Sequence, residues 1–330
     1  MSIAAAATTQ TGTSAFVISL DFELIWGVRD HSTRESYGAN VLGARDAVPR
    51  MLDLFEKHGV HATWATVGFL FAESRDELLH YLPDEAMRPV YENRAFSNYE
   101  YLDEVGASEK DDPYAFGASL IRRIAETPGQ EIATHTMSHY YCLEAGPTEA
   151  HFRADLAAAK AIAKARGVEL RSIVFPRNQY SDRHLGICSQ EGITVYRGNA
   201  RGAAYRPTQG ADQSAVRRIQ RLADAYTGIL GAQVHSWPDT KPGAANVPAS
   251  SFLRPSAGKL RHLQPLHLRQ IEKQMSRAAR DGKMFHLWWH PHNFGVNIDE
   301  NLAGLDRLLT HFNRLNRTHG MQSLTMAEAA

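Results

Sequence analysis

Two imidazoles four residues apart, His135 and His139 in the run Ile132-Ala133-Thr134-His135-Thr136-Met137-Ser138-His139, can converge on one metal ion where the backbone turns helically between them. A hydrolytic metal takes about three protein ligands and keeps an open position for water. With 16 His in the chain, such a pair also arises by chance, and two polar residues at a strand end would read the same. The residues elsewhere give the pair its weight. Asp21-Phe22-Glu23 follows the apolar run Ala15-Phe16-Val17-Ile18-Ser19-Leu20. Strand alternation points Asp21 and Glu23 the same way, and two carboxylates so placed repel unless a cation or proton lies between them. A solvated acidic turn is the plainer alternative. Near the C-terminus, alternation sets His286, Trp288 and His290 on one face of strand 284–289, ahead of Pro291-His292-Asn293. Arg177 stands at another strand end, in Phe175-Pro176-Arg177-Asn178-Gln179-Tyr180.

The elements that must position these residues follow from hydrophobic periodicity and its stop signals. An amphipathic helix over 45–58 ends at Gly59, between a strand over 15–20 and a β-rich run over 60–71. That is a βαβ unit, which implies parallel strands. A helix over 118–126 precedes the strand 131–134 that delivers the His pair. Thr148 caps a helix over 149–166, and strand 171–175, helix 182–190 and strand 193–196 repeat the rhythm. Helix 266–280, strand 284–289, helix 300–319 and a short strand over 321–325 close the chain. Active-site residues of such α/β folds gather at strand C-terminal ends.

Two stretches break the alternation. Residues 72–116 are acidic and aromatic, which suits a wall for a sugar-sized substrate or a surface excursion packing its own rings. Residues 197–263 open with Arg197, Arg201, Arg206, Arg217, Arg218 and Arg221 against the single acid Asp212. Those guanidinium groups suit a phosphate or a solvated helix face. The 330 residues carry 36 basic and 36 acidic side chains, so no global charge points to nucleic acid. Cys142 and Cys188 are too few for a disulfide framework. Residues 1–14 read as a disordered leader without signal-peptide features, and 15–330 as a single catalytic domain. No apolar run is long enough to span a membrane, and the expected setting is cytoplasmic.

In order and context, these residues resemble the polysaccharide deacetylase (NodB-homology, carbohydrate esterase family 4) proteins. The resemblance runs from about Phe16 to Met326. It includes Gly59-Val60-His61-Ala62-Thr63-Trp64, Gly129-Gln130-Glu131-Ile132-Ala133-Thr134-His135 and the complete His135-Thr136-Met137-Ser138-His139 motif. It implies an α/β fold, a distorted (β/α)7-type barrel with parallel strands, and hydrolysis of an N-acetyl (N-acyl) group from an amino sugar with one divalent metal. Zinc is expected first, with cobalt, nickel or manganese as alternatives. By the analogy and the strand geometry, Glu23, His135 and His139 are the metal ligands. Asp21 is the general base, Arg177 holds it ionised, and His290 protonates the leaving amine; Asp21 and Glu23 exchange roles in the alternative assignment. Tyr180 (through a nearby backbone N–H), Trp288 and His292 are candidate substrate contacts. The chain departs from the family in the spaced Asp21-x-Glu23, in the proline before Arg177, and in lacking a recognisable fourth motif. The expected substrate is an N-acetylated sugar on a nucleotide or lipid diphosphate carrier. Other amidase or deformylase chemistry on the same barrel, or an inert sugar-binding protein, are the rival readings.

Overall fold

The computed structural model describes residues 13–206, 215–238 and 243–330. Strand β1 (Ala15–Phe22) is buried along its whole length, because it is the inner strand of a parallel sheet covered on both faces. Strand β8 (Met284–Trp289) lies along one side of it in parallel register, Ala15 opposite Met284 and Leu20 opposite Trp289. On the other side two strands share the length. β9 (Gln322–Leu324) pairs with Ala15 to Val17, and β2 (Ala62–Thr66) pairs with Ser19 to Phe22. The sheet continues through β3 (Gln130–Thr134), β4 (Ser172–Ile173), β5 (Val195–Tyr196) and β6 (Ala245–Asn246), while β7 (Ser251–Phe252) flanks β8. Every pairing between these strands is parallel. The sheet curls into a half-barrel, the expected barrel left open because no ladder joins β6 to β7 among the described residues.

Parallel strands need crossovers, and helices supply them. Helix α1 (Arg34–His58) starts well before the expected residue 45. Thr33 forms a capping box with Ser36, and Gly59 (φ 62°) closes the far end in the left-handed region. Helix α2 (Arg75–Tyr81), capped by Ser74, lies in the 72–116 stretch. The helices α3 (Ala118–Glu126), α4 (Glu149–Ala165), α5 (Asp182–Gln190), α7 (Gln264–Asp281) and α8 (Ile298–His319) sit close to their expected places. Thr148 caps α4 by accepting from the His151 N–H. Helix α6 (Ala215–Thr227) lies in the 197–263 stretch, where the alternation lapses and a solvated helix face was one reading of the arginines. Phe55, Trp64 and Trp289 interlock edge-to-face between α1 and the sheet, which anchors the ends of β2 and β8. The expected leader falls largely on residues 1–12, outside the described residues. No helix of the described residues is long and apolar enough to cross a membrane.

Candidate active site

The C-terminal ends of β1, β3, β4, β5 and β8 open into one cavity of about 790 Å³. At its floor lie Asp21 and Glu23, both buried. Glu23 follows β1 and starts a short turn (Leu24–Gly27), with the Trp26 N–H donating to the Glu23 carbonyl. The turn passes so close that a Cβ on Gly27 would stand 1.9 Å from Glu23 Cδ. Glycine at 27 therefore makes room for this carboxylate.

The two imidazoles approach Glu23 Oε2 from one side, His139 Nε2 at 3.0 Å and His135 Nε2 at 3.3 Å. A loop brings them together instead of the expected helical turn. Thr136 (φ 66°) and His139 (φ 59°) are both left-handed, conformations that cost about 1–3 kcal/mol each and need support from the surroundings. Buried Asp155 supplies part of it, accepting from the Met137 N–H (2.7 Å), the Ser138 N–H (3.2 Å) and the Ser138 hydroxyl. Burial pushes the Asp155 carboxyl up to about 6, against the hydrogen bonds from Ser138 and Met137. Asn98, inside the 72–116 stretch, donates to both the Ser138 carbonyl (2.9 Å) and the Trp26 carbonyl (3.0 Å). Tyr91 Oη accepts from the Tyr141 N–H at 2.9 Å. These aromatic-rich residues thus clamp the two ligand-bearing loops together. None of 72–116 lines the cavity, so they do not form the expected substrate wall.

The guanidinium on Asp21 belongs to Arg197, not to Arg177. Arg197 donates from Nη1 to Asp21 Oδ1 (2.6 Å) and from Nη2 to Asp21 Oδ2 (2.8 Å). Its remaining contacts are Ser19 Oγ at 3.0 Å, Asn178 Oδ1 at 3.1 Å and the Trp288 ring, 4.2 Å from Cζ to centroid. Burial raises the Asp21 carboxyl, but the charge and hydrogen bonds of Arg197, with His135 and His290, together hold the pKa below the ordinary value. Arg177 instead pairs with Asp30 and approaches Glu144 at 3.5 Å, with its Cζ 4.1 Å from the centre of the Tyr141 ring. The reason is local. Arg177 and Asn178 are both left-handed (φ 54° each), a kink that turns Arg177 away while aiming Asn178 at Arg197. Arg197, which the sequence grouped with an anion-binding window, is instead committed to Asp21, Ser19 and Asn178.

His290 stands over the site, with Nε2 3.6 Å from Glu23 Oε1 and 3.7 Å from Asp21 Oδ2. Asn293 Nδ2 donates to its Nδ1 at 3.3 Å, and Asn293 Oδ1 accepts from the Tyr37 hydroxyl at 3.0 Å. Nε2 is thus the ring nitrogen that faces the two carboxylates. His292 stacks on His290 at 5.2 Å and is buried. Burial drops its pKa to about 3, so it is a neutral packing group. Burial likewise lowers His286 to about 3; its Nε2 meets Ser19 Oγ at 2.8 Å beneath Arg197.

Of the expected substrate contacts, Trp288 lines the cavity. Tyr180 does not; it packs between Phe175 and Tyr196. His292 does not either, being walled off by His290 and Tyr37. Arg197, Asn178, Asn98, Asn293 and Tyr37 were not assigned these roles by sequence reasoning. Asn293 alone left a trace, by its place three residues after His290.

Glu23, His135 and His139 suit a divalent metal on this evidence. They present one carboxylate and two imidazole donors within 4.8 Å of one another, all buried. The His135 Nδ1–H donates to the Val174 carbonyl at 2.8 Å, which leaves the Nε2 lone pair free to ligate. The electrostatics agree. Burial raises the Glu23 carboxyl, yet His290, His135 and His139 together hold it well below its usual range. Among the described residues no other group of three or more such side chains meets the same criterion.

No protein of curated function matches the chain. Solved structures do. A Mycobacterium smegmatis protein described as a polysaccharide deacetylase aligns over 99% of this chain and 92% of its own, at 13% identity and TM-score 0.60. A Pseudomonas aeruginosa protein described in the same terms aligns over 93% and 92%, at 12% identity and TM-score 0.52. The allantoinase PuuE aligns over 94% and 86%, at 12% identity and TM-score 0.54. At such identities the likeness is one of fold. Residues 37–196, which hold His135, His139 and Arg177, match the family model of polysaccharide deacetylases. The family model thus covers just under half of the chain, and over the rest the likeness to proteins described as polysaccharide deacetylases is one of fold.

Proposed function

We propose that the protein is a metal-dependent hydrolase that removes an N-acetyl (N-acyl) group from an amino sugar. The observation that carries this is the convergence of Glu23, His135 and His139 beside a separate carboxylate, Asp21, that Arg197 keeps ionised. An inert sugar-binding site would have no use for a buried acid clamped apart from the ligand set. Glu23, His135 and His139 would hold the ion, zinc first by this mixed nitrogen and oxygen donor set, with cobalt, nickel or manganese as alternatives. When bound, such an ion supplies a water of pKa about 7 and polarises a carbonyl oxygen.

The chain's own groups divide the remaining work. Asp21 takes the proton from the attacking water; its engagement by Arg197 through both oxygens leaves further lone pairs open to the cavity. His290, acting as the imidazolium, gives its Nε2 proton to the departing nitrogen and is left as the neutral ring, a transfer amide cleavage requires because an amide anion is a poor leaving group. Asn293 holds the ring with Nε2 facing the carboxylates. Trp288, with Phe252 stacked against it at 4.7 Å, offers a flat apolar face for the sugar ring. The two free cysteines accord with a reducing compartment, and a cytoplasmic setting goes with this proposal.

The test is metal content with acetate release. Protein purified without chelator should carry close to one equivalent of divalent metal and release acetate from N-acetylated amino sugars. A His135→Ala/His139→Ala variant should do neither. A wild-type protein that neither holds nor takes up zinc would overturn the proposal.

A further inference from the structure

The cavity that holds the carboxylates and imidazoles has a second wall, built by the 197–263 stretch and α7. Four arginines stand on it: Arg206, Arg218, Arg221 and Arg254. Arg221 donates to the Ala204 carbonyl at 3.0 Å. The guanidinium groups of Arg206, Arg218 and Arg254 make no hydrogen bond or ion pair among the described residues. Asp224, the one carboxylate on that wall among the described residues, is already occupied, accepting from the Tyr205 hydroxyl and from the Leu230 N–H at 2.8 Å each. Burial lowers the Arg221 pKa, and the like charges of Arg217 and Arg218 lower it further. Like charges gathered around a concave surface are a cost that an anionic ligand removes.

Resting on the deacetylase reading of the same cavity, we infer that the substrate carries a phosphate or diphosphate ester, held by Arg206, Arg218, Arg221 and Arg254 while its N-acyl sugar reaches Glu23 and Asp21. Neutral oligosaccharides would leave these forks unmatched, whereas phosphate oxygens accept from guanidinium in pairs. Arg254 comes from a separate segment beyond the arginine-rich window, so the cluster is assembled by the fold and is more than a local charge run. Nucleotide and polyprenyl carriers both present this chemistry. Val216 and Ile219, exposed on α6 beside Arg218, bring the polyprenyl carrier into the test.

The full-length protein is titrated calorimetrically with UDP and, separately, with farnesyl diphosphate. At least one should bind, and Arg218→Ala/Arg254→Ala should weaken it by roughly tenfold to a hundredfold, as loss of charge-assisted contacts implies. Arg206→Ala, at an exposed side chain, is the second variant and should weaken binding in the same direction. Glu23→Gln should leave binding in place, which separates the arginine wall from direct capture at the metal ligands. Tighter UDP binding assigns the nucleotide carrier, and tighter farnesyl diphosphate binding the lipid carrier. Binding of neither, binding unchanged in the arginine variants, or binding lost in Glu23→Gln would each overturn the inference. Metal content and acetate release from neutral N-acetyl sugars report on the deacetylase reading independently.

Discussion

Replacing Arg197 with Met isolates the feature on which the proposed base depends. Arg197 is fully buried and meets Asp21 through two hydrogen bonds of 2.6 and 2.8 Å. Charge centres so held are about 4 Å apart, an attraction of about 4 kcal/mol at an effective dielectric constant near 20. Without Arg197 the burial of Asp21 is opposed only by the neighbouring histidines, and its carboxyl takes up a proton toward neutrality. Acetate release should fall by a factor that grows as pH drops, up to about a thousandfold at the foot of the acidic limb, the equivalent of that attraction in ionised base. The rate should recover as pH is raised, because the base is titrated and not misplaced. The native pair stabilises the fold above the ordinary Asp pKa, and that stability is lost as pH falls through the lowered folded value. In the variant burial reverses the sign, so stability falls as pH rises, with a loss of about 3–5 kcal/mol for an orphaned buried charge. The assay is kcat/KM against pH, beside urea unfolding. Arg177→Met, which does not touch Asp21, should leave the acidic limb of the profile in place. An unshifted limb in Arg197→Met, or an equal loss at every pH, would refute the assignment of Asp21 as a base held ionised by Arg197.

Gly27→Ala should displace the Glu23 carboxylate, since the added Cβ would meet it at 1.9 Å; metal retention by mass spectrometry should fall by tenfold or more, and full retention would show that the turn yields instead. Asn98→Ala leaves the buried carbonyls of Trp26 and Ser138 without their donor and should cost about 2–4 kcal/mol in urea unfolding. A loss below about 0.5 kcal/mol would argue against the clamp. His235 and His267 are lowered by burial to about 4, and His286 to about 3. These groups are neutral when folded and accept protons more readily when unfolded, so stability should decline as pH drops below 6.5 toward those folded values. Their combined slope is at most about 4 kcal/mol per pH unit, and a flat urea midpoint between pH 6.5 and 4.5 would contradict it.

Caps, periodicity and strand ends were legible in the chain because they depend on neighbours a few residues away. Gly59 and Thr148 mark helix ends wherever the helices pack, and the alternation of Met284 to Trp289 fixes which residues share a face before any partner strand is known. The same rule put Asp21 and Glu23 together at the end of β1, and the spacing of His135 and His139 offered two imidazoles. What the residues could not show is which distant group answers a buried charge. Arg177 and Arg197 follow successive strands, β4 and β5, and both are plausible partners for Asp21. The choice depends on the left-handed kink at Arg177 and Asn178 and on the curl of the sheet, which brings Arg197 across 176 positions of sequence. Asn98 bracing both ligand loops, and Arg254 joining the arginine wall, have the same origin. Local sequence set the elements and the donor types. Chain closure, which local propensities do not encode, decided which charges met.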